Sequence, residues 1–209
     1  MAEPVELDDP VLDEVLERAR SLGFLGPGPV AGHVRHALAM ARFAGPPVGP
    51  VLDLGSGGGI PGLVLARIWP VEVTLVDSMH RRTAFLVEAL GRLDLAPRVR
   101  VVEGRAEALA REPELRGAFD LVVARGFGAP AVTAECGVGF LGSGGRLVVS
   151  EPPEGSGERW PAEGVARLGL EFVRAGGPAG ASFVELCRTG ELDATWPRRT
   201  GVPAKRPAW

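Results

Sequence analysis

The stretch VLDLGSGGGIPG at 51–62 is where this chain is best equipped to hold a bulky ligand. An apolar run ends in Asp53 and Leu54, and Gly55, Gly57 and Gly59 then turn the backbone before a helix beginning near Ile60. Glycine allows both the sharp turn and a close approach of backbone to ligand, because no Cβ stands between them. Gly57, Gly59 and Gly62 also satisfy GxGxxG, so the loop alone fits a dinucleotide as well as S-adenosylmethionine. VTLVD at 73–77 places Asp77, followed by Ser78, at the end of a second apolar run, where a carboxylate can accept from both ribose hydroxyls. A helix N-cap is the plainer use of such an aspartate. Two features shift the balance toward S-adenosylmethionine: Asp53 just before the first glycine, and the acidic GRAE at 104–107. The latter sets Ala106 and Glu107 where an adenine edge can be read, although a solvated glutamate near a helix start is the alternative.

Other constellations are sparse. Methylation of an exocyclic amine calls for an NPPY-like tetrapeptide after the fourth strand, whereas FDLVVA at 119–124 runs into Arg125, Gly126 and Phe127. Cysteine-dependent cytosine methylation needs a nucleophilic thiol beside a proline in these loops, and Cys136 falls within a helical pattern. Guanine N7 makes a smaller demand, because its lone pair points outward and in-line attack on a sulfonium methyl needs no deprotonation. His33 and His36 share a helix face, but no third ligand lies near them, and no metal is expected.

The elements that must position these residues follow from periodicity. Pro10 opens an amphipathic helix behind Asp9 that stops at Gly23, and a second runs from Val30 to Ala44. From Val51 onward, strand candidates at 51–54, 73–76, 99–102, 119–123 and 145–149 alternate with helical stretches near 60–68, 80–94, 106–112 and 130–140. That alternation predicts a parallel sheet with right-handed crossovers. A proline- and glycine-rich loop at 151–158 and a helix near 161–168 precede two closing strands, 170–174 and 182–188. The expected architecture is a Rossmann-like α/β domain with a mostly parallel seven-stranded sheet and helices on both faces. The organisation is a helical extension over 1–48, the sheet domain over 49–195 and a basic, irregular arm over 196–209.

The arm carries Arg198, Arg199, Lys205 and Arg206 without an acid after Asp193, a cluster able to neutralise phosphates on RNA or simply to be solvated at a terminus. Arg81 and Arg82 open a helix beside the cofactor loop and either extend that surface or are merely solvated. With a net charge of −3, the chain has no global attraction to nucleic acid, so any RNA contact must be local. Two distant cysteines indicate neither a disulfide framework nor a zinc site. No apolar run reaches the roughly 20 residues of a membrane span, and the acidic N-terminus lacks a signal-peptide layout, so a cytoplasmic location is expected.

Five segments in order, DLGSGGGIPG at 53–62, LVDSMHRRTAFL at 75–86, GRAE at 104–107, FDLVVAR at 119–125 and WPRRTGVPAKRP at 196–207, resemble the RsmG (GidB) methyltransferases. The resemblance implies transfer of a methyl from S-adenosylmethionine to N7 of a guanine in 16S ribosomal RNA, with the small ribosomal subunit as partner and no obligate protein partner. It implies that Gly55, Ile60, Ala106, Glu107 and Arg125 line the cofactor site, with Asp77 on the ribose and Arg125 turned toward the substrate mouth. If the arm serves RNA, replacing Arg198 and Arg199 is expected to weaken RNA binding while leaving cofactor affinity nearly unchanged. The chain departs from the family pattern at His36 and Ala37, where aspartate and serine are usual, at Ser150 and Glu151, where lysine and glycine are usual, and at Arg81, usually lysine. These departures admit a small molecule or another RNA as substrate. A non-catalytic module that retains the cofactor, and more remotely a nicotinamide dehydrogenase, are the remaining readings.

Overall fold

A computed structural model describes residues 7–153, 157–178 and 180–209. The expected loop at 151–158 therefore lies partly outside the described residues. Five strands, β1 (Val51–Leu54), β2 (Val73–Asp77), β3 (Val99–Glu103), β4 (Phe119–Ala124) and β5 (Leu141–Glu151), run parallel. β6 (Leu170–Gly176) and β7 (Ser182–Arg188) close the sheet, with β7 inserted antiparallel between β5 and β6 to give the order 3-2-1-4-5-7-6.

The strand residues alternate between two cores, as a pleated sheet buried on both faces requires. Val51, Val73, Leu75, Leu121, Val123, Val148 and Phe183 face one core. It is completed by α1 (Pro10–Ser21), α2 (Val30–Ala44), α3 (Gly62–Ile68) and α4 (His80–Arg92). Leu52, Leu54, Val76, Val122, Leu147, Val149 and Val184 face the other. There α5 (Ala106–Leu109), α6 (Pro130–Val138) and α7 (Ala162–Ala166) pack. The N-terminal helices are thus part of one helical layer. Asp9 caps α1 by accepting from Leu12 N at 3.0 Å, and its other oxygen pairs with Arg67 of α3, tying the extension to the domain.

Three boundaries differ from the periodicity. β5 starts at Leu141 rather than 145, because Leu141 pairs with Phe119 ahead of a register shift, after which Arg146 pairs with Leu121. The helix expected over 106–112 is only the four residues of α5. The arm is not structureless: it contains α8 (Val202–Lys205), and Arg111 and Arg116 donate to main-chain carbonyls between Asp193 and Pro197. Those contacts are tertiary and leave no periodic trace in the arm's sequence.

Candidate active site

The sheet order reverses between β1 and β4, and the loops after β1, β2, β3 and β4 converge at the carboxyl ends of the strands, the usual ligand crevice of an open α/β sheet. A cavity of about 450 Å³ opens there. Gly55 lines it with φ of 76°, and a Cβ at this position would lie 2.7 Å from the Phe127 ring, so the loop and the ring can meet only at a glycine. Asp77 and Ser78 from the end of β2, and Ala106 and Glu107 from the start of α5, form further walls. The sequence reading missed several lining residues, including Phe127, Val132, Cys136 and Ala204, which come from α6, its approach and the arm. No motif marks them as lining residues; only the packing of distant segments brings them in.

Each carboxylate has a distinct job. Asp77 Oδ2 accepts from Gly57 N and Oδ1 from Met79 N, both at 2.9 Å, which straps the glycine loop to the end of β2. Neither bond is an N-cap of α4, whose cap residue Met79 has no side-chain bond. Arg82 Nη1 stands 3.5 Å from Asp77 and lines the cavity, whereas Arg81 lies outside and is exposed, its guanidinium 5.9 Å from the Phe24 ring. Glu107 is 3 % exposed and accepts from Gly201 N at 3.0 Å and Arg105 at 3.1 Å. Burial alone would raise its pKa, but the Gly201 N–H and the Arg105 guanidinium outweigh burial and hold it below the ordinary value. Burial, with Glu107 and Glu135 nearby, pushes the Cys136 thiol well up, so this cysteine is a packing residue rather than a nucleophile.

Asp53, Gly57, Gly59 and Ile60 do not line the cavity; they build the loop that does. Asp53 is fully buried, its Oδ2 accepts from Gly62 N at 2.9 Å, and its Oδ1 has no partner. A Cβ on Gly62 would sit 2.5 Å from that Oδ2, which fixes glycine at the start of α3. Burial pushes the Asp53 carboxyl up to about 7, and the Asp77 charge adds to it.

Arg125 directly follows β4 and lines a second, larger groove of about 910 Å³ between α2 and Pro178, Gly180 and Ala181, while its neighbour Gly126 lines the first cavity. Neighbouring residues of the chain therefore line the two hollows. Arg125 Nη2 donates to His33 Nδ1 at 2.8 Å, and His33 Nε2 lies 3.1 Å from the Gly26 carbonyl, so Nδ1 accepts and Nε2 donates in this pair of bonds. His36 Nε2 lies 3.0 Å from Ser150 Oγ, so two of the departures noted in the sequence touch each other. Burial, with the charge of Arg125 next, lowers the His36 pKa to about 4. Glu151 does not line this groove; it is buried, and its carboxylate pairs with Arg159 at 3.1 Å.

The basic residues of the arm divide. Arg199, Lys205 and Arg206 are exposed, whereas Arg198 grips the fully buried Glu135 of α6. Among the described residues no group of three His, Cys, Asp or Glu could hold a metal ion, and no helix is long and apolar enough to cross a membrane.

The family model GidB, rRNA small subunit methyltransferase G, matches residues 30–151, which hold the glycine loop, both cavity carboxylates and Arg125. The chain belongs to the GidB family. Two of its relatives are each named ribosomal RNA small subunit methyltransferase G. That of Moorella thermoacetica is 34% identical over 170 residues, covering 78% of this chain and 70% of the relative. That of Roseiflexus castenholzii is 35% identical over 185 residues, covering 85% and 79%. Among solved structures, a SAM-dependent methyltransferase from Aquifex aeolicus superposes with a TM-score of 0.62 at 14% identity, covering 83% of this chain and 98% of that one. A methyltransferase from Geobacter sulfurreducens gives 0.60 at 18%, covering 89% and 91%. These two share the fold of this GidB chain, a class I methyltransferase sheet.

Proposed function

We propose that this protein transfers the methyl group of S-adenosylmethionine to N7 of a guanine in 16S ribosomal RNA, acting in the cytoplasm on the small ribosomal subunit. The observation that carries the reading is that two hollows are lined by the consecutive residues Arg125 and Gly126, one walled by Gly55, Asp77 and Glu107 and the other by Arg125 and the α2 histidines. A methyl transfer needs a donor pocket beside an acceptor groove.

The residues fit the cofactor. A ribose diol and an adenine amine are hydrogen-bond donors, and Asp77 and Glu107 present acceptors on one cavity wall, while Gly55 leaves room for close backbone approach. Bound there, the cofactor supplies an electrophilic methyl on a sulfonium. Guanine N7 supplies its own lone pair, so positive charge passes from sulfur to the purine and no proton has to be removed. The chain's tasks are then to orient and to exclude water. His33, by accepting from Arg125, aims the guanidinium into the groove, where its remaining N–H groups can hold a phosphate or a base oxygen. The exposed arm residues Arg199, Lys205 and Arg206 contribute further phosphate contacts, with the exposed Arg81 of α4 as another candidate.

Incubation with methyl-labelled S-adenosylmethionine and undermethylated 30S subunits, followed by mass spectrometric mapping, tests the proposal. Label on a guanine N7 of 16S RNA is expected. Label confined to another nucleotide, or transfer only to a small molecule, would sink it.

A further inference from the structure

We infer that the C-terminal segment 198–206 is a wall of the cofactor cavity, and that Glu135 and Arg198 are positioning residues for cofactor binding rather than part of an RNA tail. The inference rests on the proposed cofactor reading and extends it to a part of the chain that the sequence assigns to RNA or to solvent.

Glu135 lies in α6 with no exposure, where an ionised carboxylate is tolerated only if its oxygens are satisfied. Arg198 satisfies them: its main-chain N donates to Oε1 at 2.9 Å, its Nε to Oε1 at 2.8 Å and its Nη2 to Oε2 at 2.5 Å. The same Nη2 donates to the Arg206 carbonyl at 2.7 Å, so one guanidinium pins both ends of the segment 198–206. Between those ends, Gly201 takes φ of 80° and donates its N–H to Glu107, and Ala204 lines the cavity. Glu107 therefore serves two sides, holding the segment with Oε1 while standing in the cavity wall. On α6, the residue after Glu135 is Cys136, itself a lining residue, so the clasp and the pocket share one turn of helix. A segment serving only RNA would need its arginine outward; Arg198 is turned inward and bonded to a buried acid.

The first measurement is calorimetric titration of S-adenosylhomocysteine into the full-length protein. Glu135→Gln is expected to raise its Kd about tenfold, the loss expected from a charge-assisted bond. Ala204→Leu, which leaves the clasp intact, is expected to raise Kd about fivefold or more by filling the wall, with an unchanged melting temperature. Asp9→Ala, at the cap of α1 and away from the cavity, controls for general destabilisation and should leave Kd within about twofold, as expected of independent sites. In turnover, Glu135→Gln should raise KM for S-adenosylmethionine with kcat largely kept. Hydrogen exchange supplies a second readout: saturating S-adenosylhomocysteine should slow the amides of 199–206 in the wild type. Wild-type binding with Kd unchanged in both wall variants, or with unprotected arm amides, overturns the inference alone. A wild type that does not bind S-adenosylhomocysteine overturns the cofactor reading and this inference together.

Discussion

Asp53 and His36 give the fold opposite pH dependences. A carboxyl whose pKa rises from 3.8 to about 7 on folding keeps its proton in the native state while the unfolded chain has already lost it. Its contribution to stability therefore falls as pH rises from about 3.8 to about 7, and is flat above. His36, depressed from 6.5 to about 4, resists a proton that the unfolded chain takes up, so its contribution falls as pH drops from 6.5 toward 4. Asp53→Asn should then raise the melting temperature relative to wild type at pH 8 and reduce the difference on acidification, as followed by calorimetry. His36→Gln, which keeps an acceptor for Ser150, should show the reverse, gaining on wild type as pH falls through that window. If both variants track wild type at every pH, the buried carboxyl and imidazole do not titrate as burial dictates. A second residue-level prediction concerns His33: Leu there strands the Arg125 guanidinium and should cut kcat/KM about tenfold or more, the worth of a charged hydrogen bond. Asn, whose side-chain oxygen can replace Nδ1, should restore most of it; equal loss in both would show that His33 merely packs. Asp53, Asp77 and Glu107 were visible in the sequence because motif spacing names them. The Arg125–His33 bond was not, because 92 residues separate the partners.

The elements were legible to the extent that each carries its own period. Asp9 and Pro10 announce α1 with a cap, and the apolar alternation from Val51 announces a parallel sheet. What periodicity could not show was where an element ends under tertiary influence: the start of β5 is set by its pairing with β4, and the course of the arm by Arg111, Arg116 and Glu135. Nor could it show that the N-terminal helices belong to the core. Arg67 of α3 pairs with Asp9, and Arg18 and Arg92 pair with Glu88 and Glu14 across α1 and α4. The latter two pairs are exposed and worth little, so the cap and its partly buried partner carry the attachment. Asp9→Ala should cost about 1–2 kcal/mol through the cap alone. For a chain of this size each kcal/mol lowers the melting temperature by about 2–4 °C. An unchanged melting temperature would mean that α1 is held by its apolar face alone.

At the scale of the molecule, a chain with net charge −3 must bind a polyanion through a local surface, and the fold decides which cations remain for it. Arg67, Arg105, Arg146, Arg159, Arg174 and Arg198 are committed to carboxylates of the protein itself. Arg199 and Lys205 are exposed and make no ion pair among the described residues, on the same segment whose Ala204 lines the cavity at the strand ends. Outer and inner faces of that segment should therefore separate cleanly by mutation. Replacing Arg199 and Lys205 together by Ala should weaken binding to a 16S RNA fragment and flatten the plot of log K against log salt by about 1.4–1.8, two phosphate contacts' worth. The Kd for S-adenosylhomocysteine should stay where it was. Replacing Arg198 should instead damage cofactor affinity, with RNA affinity falling only as the segment loosens. Salt slopes come from fluorescence anisotropy and cofactor affinities from calorimetry. If the Arg199 and Lys205 replacements leave the slope intact, the RNA surface lies elsewhere, and Arg35 and Arg81, exposed on the opposite helical layer, become the residues to replace.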